Sequence, residues 1–488
     1  MTTDYKVMYK IFTFAVIWVA FSVYADWPQI YDSGNSDWGH GVAVDPSNNV
    51  IAAIHSETQG ETQENEVCHL VKYDNNGNIK WEASYDSINN PSCVATDGDG
   101  NIFVGGSIWS VTEDFKYVTM KCDTNGNSLW TVTEPAHPCW DYLHAIACDA
   151  KGNVYVTGNF YTFYFESHVY TIKYDSNGNQ QWARVFENSV SDNAFGIDVD
   201  EIGSVYIAGY TIISDTLCCC TIKYDSTGTQ QWVKTRIFGS NNRGIGVTVY
   251  GEYIYVVGHY NDGTGHWNYF IIKYNDSGDE QWVRTYDTGY TDNYATNATS
   301  DRDGNILLTG YTNRTETRID YCTIKYDNSG DLLWCRFYDC GNGEMNFATG
   351  IDADENGNVF VTGYTQHSTK DNYYDCLTVG YTPDGNEFGV ELVDFPSHSS
   401  LELNIIPTIS VGNFKIVYNI PVGAALADAQ LKVYDASGGL VEILFENSVI
   451  PGSYSRRWNV NKETKSGIYF CQLRVNEWCI TRKMVLIH

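Results

Sequence analysis

The stretch Thr171-Ile-Lys-Tyr-Asp-Ser-Asn-Gly-Asn-Gln-Gln-Trp182 returns almost unchanged as Thr221-Ile-Lys-Tyr-Asp-Ser-Thr-Gly-Thr-Gln-Gln-Trp232 and as Ile271-Ile-Lys-Tyr-Asn-Asp-Ser-Gly-Asp-Glu-Gln-Trp282. The tryptophans closing this segment are Trp81, Trp130, Trp182, Trp232, Trp282 and Trp334, with Phe388 in the seventh place, so the period is 49 to 54 residues. Self-similarity of this length, with four short strand patterns per unit, describes one blade of a β-propeller. A single unit cannot cover both of its faces, whereas stacked units cover one another and circular closure removes exposed edges.

Each unit divides at its own turn signals. A short, weakly alternating strand A, as in Ala194-Phe-Gly-Ile-Asp-Val-Asp200, leads through a turn to strand B, as in Asn153-Val-Tyr-Val-Thr-Gly158. Strand C ends in Lys-Tyr-Asp and strand D carries the tryptophan. Asp or Asn opening a turn accepts a backbone N–H bond and Gly supplies positive φ, so both motifs read as hairpin turns. Seven A-B-C sets are present, the fifth with a shortened A–B turn at Val249-Tyr-Gly-Glu-Tyr-Ile254. The repeated Trp and Tyr are assigned to contacts between blades. Trp27-Pro-Gln-Ile-Tyr31 resembles Trp182-Ala-Arg-Val-Phe186, which makes it a competitor of residues 386–393 for the outer strand of the closing blade.

These residues resemble the SBBP repeats of bacterial β-propeller proteins: an Asp turn, Gly-Asn-Val-Tyr-Val-Thr-Gly, then Lys-Tyr-Asp and Gly-Asn followed by Trp. That resemblance implies an architecture and no activity. After Phe395-Pro-Ser-His-Ser-Ser400 the period breaks, and short alternating strands such as Phe414–Ile420, Leu431–Gly438, Ser466–Phe470 and Thr481–Ile487 indicate a small sandwich. Its Val-Tyr-Asp-x-x-Gly hairpin, Ser-Gly-Ile-Tyr and terminal Thr-Arg-Lys-Met look like the C-terminal sorting domain of type IX secretion cargo, although Asn404-Ile-Ile-Pro-Thr408 departs from its usual opening. The resemblance implies export to the outside of the cell, with residues 404–488 as the partner of the secretion machinery.

At the other end Lys6 and Lys10 precede the apolar run Ile11–Val23 and the cleavage-like Val23-Tyr24-Ala25. This reads as a signal peptide, too short for a spanning anchor. The expected organisation is a signal peptide at 1–25, a seven-bladed β-propeller at 26–393, a linker at 394–403 and an immunoglobulin-like β-sandwich at 404–488: all-β, secreted or cell-surface, with no integral membrane segment after signal removal. A net charge of -30 repels phosphate backbones and anionic membranes, which excludes nucleic acid as a partner. The 14 cysteines show no metal-knuckle spacing, and most fall inside strands as small buried thiols.

Chemistry is harder to place. Asp97-Gly-Asp-Gly-Asn101 has alternating oxygens, but apolar residues follow at once, so an Asx turn is favoured over a calcium loop. The Asp175–Trp182 turn resembles that of quinoprotein dehydrogenases and, more loosely, the Asp-box of sialidases, without a cofactor pocket or an arginine cluster that can be placed. The histidines are scattered, and no nucleophile elbow or phosphate loop appears. No catalytic residue, cofactor or metal site is expected.

Topology gives more. If strand A lines the channel, the D–A and B–C connections share one face, and variation concentrates there, in loops including Glu61–Asn65, Tyr161–Phe165, Asp262–Trp267 and His367–Asp371. Asp37, Asn89, Asp141, Asp192, Asn241, Asn293 and Asn346 recur before strand A as turn caps or a polar ring, and Trp38, Tyr142, Tyr294 and Phe347 directly follow four of them. With Tyr164, Phe165 and Trp267 these aromatics form the candidate recognition surface. The expected function is a scaffold binding carbohydrate or a surface protein, with the balance against an enzyme. The alternative is an extracellular polysaccharide-acting hydrolase with a carboxyl pair at the central opening.

Overall fold

Strand-forming runs in this chain are apolar on consecutive positions where a sheet is covered on both faces. Val154-Tyr155-Val156 and Val50-Ile51-Ala52-Ala53-Ile54 are wholly buried, while the outer strand Gln180–Phe186 buries only Trp182 and Phe186. The computed structural model describes residues 27–57, 66–110, 113–134, 140–290, 292–315, 318–339, 345–366, 374–387 and most of 402–487. The proposed signal peptide, Phe388, the loops Glu61–Asn65 and His367–Asp371 and most of the linker lie outside these residues.

Among the described residues the repeats form seven four-stranded antiparallel units in a propeller-like arrangement. Five are separate sheets; the fourth and fifth are joined by the parallel pair Leu217–Asn241 into one eight-stranded sheet. The inner strands are Ser36–Val44, Asn90–Thr96, Asp141–Cys148, Asn193–Val199, Asn241–Tyr250, Asn293–Ser300 and Asn346–Ala353. Each lies against the next, and the last lies against the first. The seventh sheet takes its outer strand from the N-terminal side: Gln29–Tyr31 pairs antiparallel with Tyr374–Tyr381.

One device repeats between neighbouring sheets. The indole Nε1 of each outer-strand tryptophan donates to a turn carbonyl of the next sheet: Trp81 to Thr124 (3.2 Å), Trp182 to Ser226 (3.2 Å), Trp334 to Pro383 (2.9 Å). The strand-C lysine donates to the same oxygen, as Lys72 to Thr124 at 3.1 Å and Lys325 to Pro383 at 3.2 Å. The turn glycine lies close beneath the indole: a Cβ on Gly228 (φ +79°) would stand 2.8 Å from Trp182, and one on Gly385 2.6 Å from Trp334. In the seventh sheet the place first assigned to Phe388 is filled by Trp27, whose Nε1 donates to Asn75 O of the first sheet at 3.4 Å. Trp27 also packs between Tyr73 and Phe360, at 5.4 and 5.2 Å between ring centres.

The Asp turns behave as local structure. Asp175 Oδ1 accepts the N–H groups of Asn177 and Asn179, both at 2.9 Å, and Asp97 Oδ1 does the same for Asp99 (3.1 Å) and Asn101 (2.9 Å). Most described cysteines are buried free thiols. Beyond residue 402, a three-stranded sheet (Glu402–Ile406, Asn413–Ile420, Gly452–Asn459) and a five-stranded sheet (Ile409–Ser410, Ala427–Asp435, Leu440–Val449, Gly467–Val475, Trp478–Leu486) share one core around Trp458, Phe414, Leu431 and Leu473. Arg456 of this part pairs with Glu387 at 3.0 Å. Among the described residues no helix is long and apolar enough to cross a membrane.

Candidate functional site in the central channel

Every inner strand carries a bulge at the same place, between Gly39 and Gly41 in the first sheet and between Ala348 and Gly350 in the seventh. The opposed residue of strand B is a glycine in most sheets, because the bulged backbone crowds it: a Cβ at Gly158 would land on the carbonyl oxygen of Tyr142. A bulge turns an extra side chain out of the pleat. Here the extra residues, His40, Ser92, His144, Phe195, Ile245, Thr296 and Thr349, all point into one central cavity of about 800 Å³.

Three positions further along each strand, the same cavity is lined by Ala43, Ala95 and Ala147 on one side and by Asp198, Thr248, Thr299 and Asp352 on the other. The polar residues belong to four consecutive sheets, the fourth to the seventh. Asp198 accepts N–H bonds from Val199 (2.8 Å) and, across the sheet boundary, from Val249 (2.8 Å). Asp352 accepts from Ala353 (2.8 Å) and from Val44 of the first sheet (2.7 Å), with the Thr299 hydroxyl at 3.5 Å. Burial lifts both carboxyls from the ordinary 3.8 to about 6, against the lowering effect of these bonds, and the charge of Asp352 raises Asp198 further. Two fixed carboxyls thus face one cavity with proton affinities suited to acid–base work near neutrality.

Around the end of the channel where the D–A and B–C connections lie, aromatic rings form a collar. Trp267 packs on Tyr294 (5.3 Å), Tyr294 on Tyr311 (5.2 Å), Tyr311 on Phe347 (5.1 Å) and Phe347 on Tyr364 (5.1 Å). Tyr364 meets Tyr374 at 5.5 Å, Tyr374 meets Trp38 at 5.5 Å, and Trp38 stacks on His55 at 5.3 Å. On the opposite side Tyr142 lies beside His144 (6.5 Å), which meets Phe195 at 5.2 Å. Five of the seven recognition candidates, Trp38, Tyr142, Tyr294, Phe347 and Trp267, therefore stand in this collar. Tyr164 and Phe165 stand apart at the tip of the loop after Tyr161, 86% and 78% exposed, and neither stacks on another described aromatic.

The polar positions preceding the collar are buried in six sheets and half-buried at Asn89 in the second. Asp37 accepts from the N–H of Ser33 (2.6 Å) and from the hydroxyl of Ser56, and Asp192 accepts from the N–H groups of Asn188 (2.7 Å) and Ser189 (2.8 Å). In the fifth sheet this role belongs to Asn242 and not to Asn241: its Oδ1 accepts from Phe238 (2.7 Å) and Gly239 (2.9 Å). The collar position there is consequently Arg243, paired across the strands with His259 as Trp38 is with His55. Asp32, Asp37 and Asp375 bring carboxylate oxygens within 4.8 Å of one another, but those of Asp37 are already engaged by Ser33 and Ser56.

A family model described as "Beta-propeller repeat" (SBBP) matches residues 342–368. No curated protein matches the chain. Among solved structures, the chain is similar to a gluconolactonase from Xanthomonas campestris (10% identity, 74% of this chain and 92% of that one, TM-score 0.34). It is also similar to a Hadza microbial sialidase (12%, 56% and 63%, TM-score 0.40). A third is a subtype N11 neuraminidase-like protein from a flat-faced bat isolate, H18N11 (12%, 63% and 88%, TM-score 0.39). At these identities the likeness is one of fold alone. The balance against an enzyme drawn from sequence is corrected: structures that the chain is similar to carry enzyme names. Asp198 and Asp352 are far apart in the chain, so spacing could not join them. The signal was the pair Gly196-Ile-Asp-Val-Asp200 and Gly350-Ile-Asp-Ala-Asp354, two units with Asp where the others have Ala or Thr.

Proposed function

We propose that this chain is a carbohydrate-acting hydrolase on a closed seven-bladed β-propeller, with Asp198 and Asp352 as acid and base in the central channel. The observation carrying this reading is that both carboxyls face one cavity, are held by backbone N–H groups of two adjoining sheets, and have proton affinities lifted to about 6. Near that pH one member of such a pair is protonated and can donate to a leaving oxygen, while the ionised member activates water or attacks. The aromatic collar supplies flat apolar faces suited to sugar rings. Reducing-end release from neutral and acidic polysaccharides tests this. Asp198→Asn and Asp352→Asn should each lower kcat by about 10²–10⁴-fold with circular dichroism unchanged. Full activity in either variant, or no release from any polysaccharide by the unaltered chain, overturns it.

A second contact surface is favoured by the exposure of Phe163, Tyr164 and Phe165 at one loop tip, 72%, 86% and 78%. Joint replacement of Tyr164 and Phe165 by Ala should weaken retention on insoluble glycan or a partner protein while leaving turnover of soluble substrate intact. We also propose the division into signal peptide, propeller, linker and an immunoglobulin-like sorting domain at 404–488, with an extracellular or outer-surface destination. The seventh Trp27–Asn75 tie supports closure, and the separate core around Trp458 supports the second domain. Truncation after Ser400 should leave a folding propeller that stays in the periplasm of its native cell; surface recovery in normal amount would defeat the sorting assignment.

A further inference from the structure

Arg243 is the one charged residue at the collar position. In the other six sheets that position holds Trp38, Asn90, Tyr142, Asn193, Tyr294 and Phe347. Carboxylates outnumber Lys and Arg two to one in this chain, 60 against 30, yet no described carboxylate lies within ion-pair distance of Arg243. Its Nε is buried without a hydrogen-bond partner, and its guanidinium carbon sits 5.7 Å from the ring centre of Tyr210. Its cross-strand neighbour His259 is held edge-on by Trp267 and Tyr294, each at 5.3 Å. Burial, and then the charge of Arg243, push the His259 imidazole down to about 3, so it is neutral at working pH and adds no second cation.

A guanidinium without a carboxylate partner, over one aromatic ring and flanked by others, is arranged to meet a planar oxyanion that also offers an apolar face. We infer that the channel mouth is a subsite for an acidic sugar, a uronic-acid unit of a polysaccharide, with Arg243 pairing its carboxylate and Trp267 and Tyr294 covering the ring. This rests on the reading of the channel as a carbohydrate site and names the substrate class. It also accounts for how a chain of net charge -30 admits an anionic polymer: the attraction is local, at the rim, and short-ranged at physiological salt.

The test is calorimetric binding of a galacturonic acid hexamer and of its methyl ester to the full chain carrying Asp352→Asn, which removes turnover. The acid should bind at least about tenfold more tightly than the ester, the range expected for one charge-assisted pair. Adding Arg243→Gln should abolish that preference while ester binding persists, which reports a folded site. Arg243→Lys should restore part of it. Equal binding of acid and ester, absence of binding by both, or a preference that survives Arg243→Gln each overturns the assignment. Selective binding of the acid without cleavage by the unaltered chain would sink the hydrolase and leave the Arg243 subsite standing.

Discussion

Replacing Trp27 by Ala removes one of the ties between the seventh sheet and the first. The side chain is 5% exposed, packs on Tyr73 and Phe360, and donates its indole N–H to Asn75 O. A buried tryptophan covers about 150–250 Å², which at about 25 cal/mol per Å² is worth about 4–6 kcal/mol. The alanine methyl and partial collapse of the gap return some of this, leaving an expected loss of about 3–5 kcal/mol. For a domain of this size that lowers Tm by about 5 °C. Urea unfolding followed by near-ultraviolet circular dichroism gives the free energy and calorimetry gives Tm, with Trp182→Ala as an equivalent indole inside the ring. A loss below about 1 kcal/mol for Trp27→Ala, alongside a full loss for Trp182→Ala, would refute the claim that the N-terminal strand closes the ring.

Gly158→Ala should cost more than about 2 kcal/mol, because the new methyl meets the Tyr142 carbonyl at the bulge; a neutral effect in thermal melts would contradict the crowding argument. Lys72→Met should cost about 3–5 kcal/mol in urea unfolding, since it strands the buried Asp45 carboxylate 2.7 Å away. Burial opposes ionisation of Asp45, but its bonds to Lys72 and Asn49 prevail and hold its pKa below 3.8, so the stability it confers is present above that value and lost as pH falls through the lowered one. Asp352 has the opposite sign: its pKa is raised by burial, so its contribution is present below 3.8 and lost as pH rises through about 6. Asp352→Asn should therefore gain stability relative to the unaltered chain between pH 4 and pH 8, by at most about 3 kcal/mol, and a flat difference would contradict the shift.

The blade pattern was legible because each unit repeats the same local chemistry. Asp175 capping its turn, Gly178 at positive φ and Trp182 over the next turn are dictated by short-range bonds and by one nearest-neighbour contact. The outer strand of the seventh sheet was half legible: the likeness of Trp27–Tyr31 to Trp182–Phe186 suggested it, but the pairing of Gln29–Tyr31 with Tyr374–Tyr381 is visible only in the sheet. The collar aromatics could be read from their recurrence after Asp or Asn. Arg243 was missed because the shortened Val249–Ile254 turn moves the register of the fifth unit by one residue, so Asn241 was read in the place that Asn242 holds. Asp198 and Asp352 were missed for a different reason. Their meaning lies in departing from the repeat, and two departures three units apart come to line one cavity only when the inner strands converge.

The pH dependence of kcat/KM for polysaccharide cleavage, measured between pH 4 and pH 8 for the unaltered chain and for Asp198→Asn and Asp352→Asn, tests the channel pair most directly. A bell centred near pH 6, with one limb lost in each variant along with most of the rate, is the expected result. A profile whose limbs and height are the same in all three proteins would contradict the assignment of these two carboxyls.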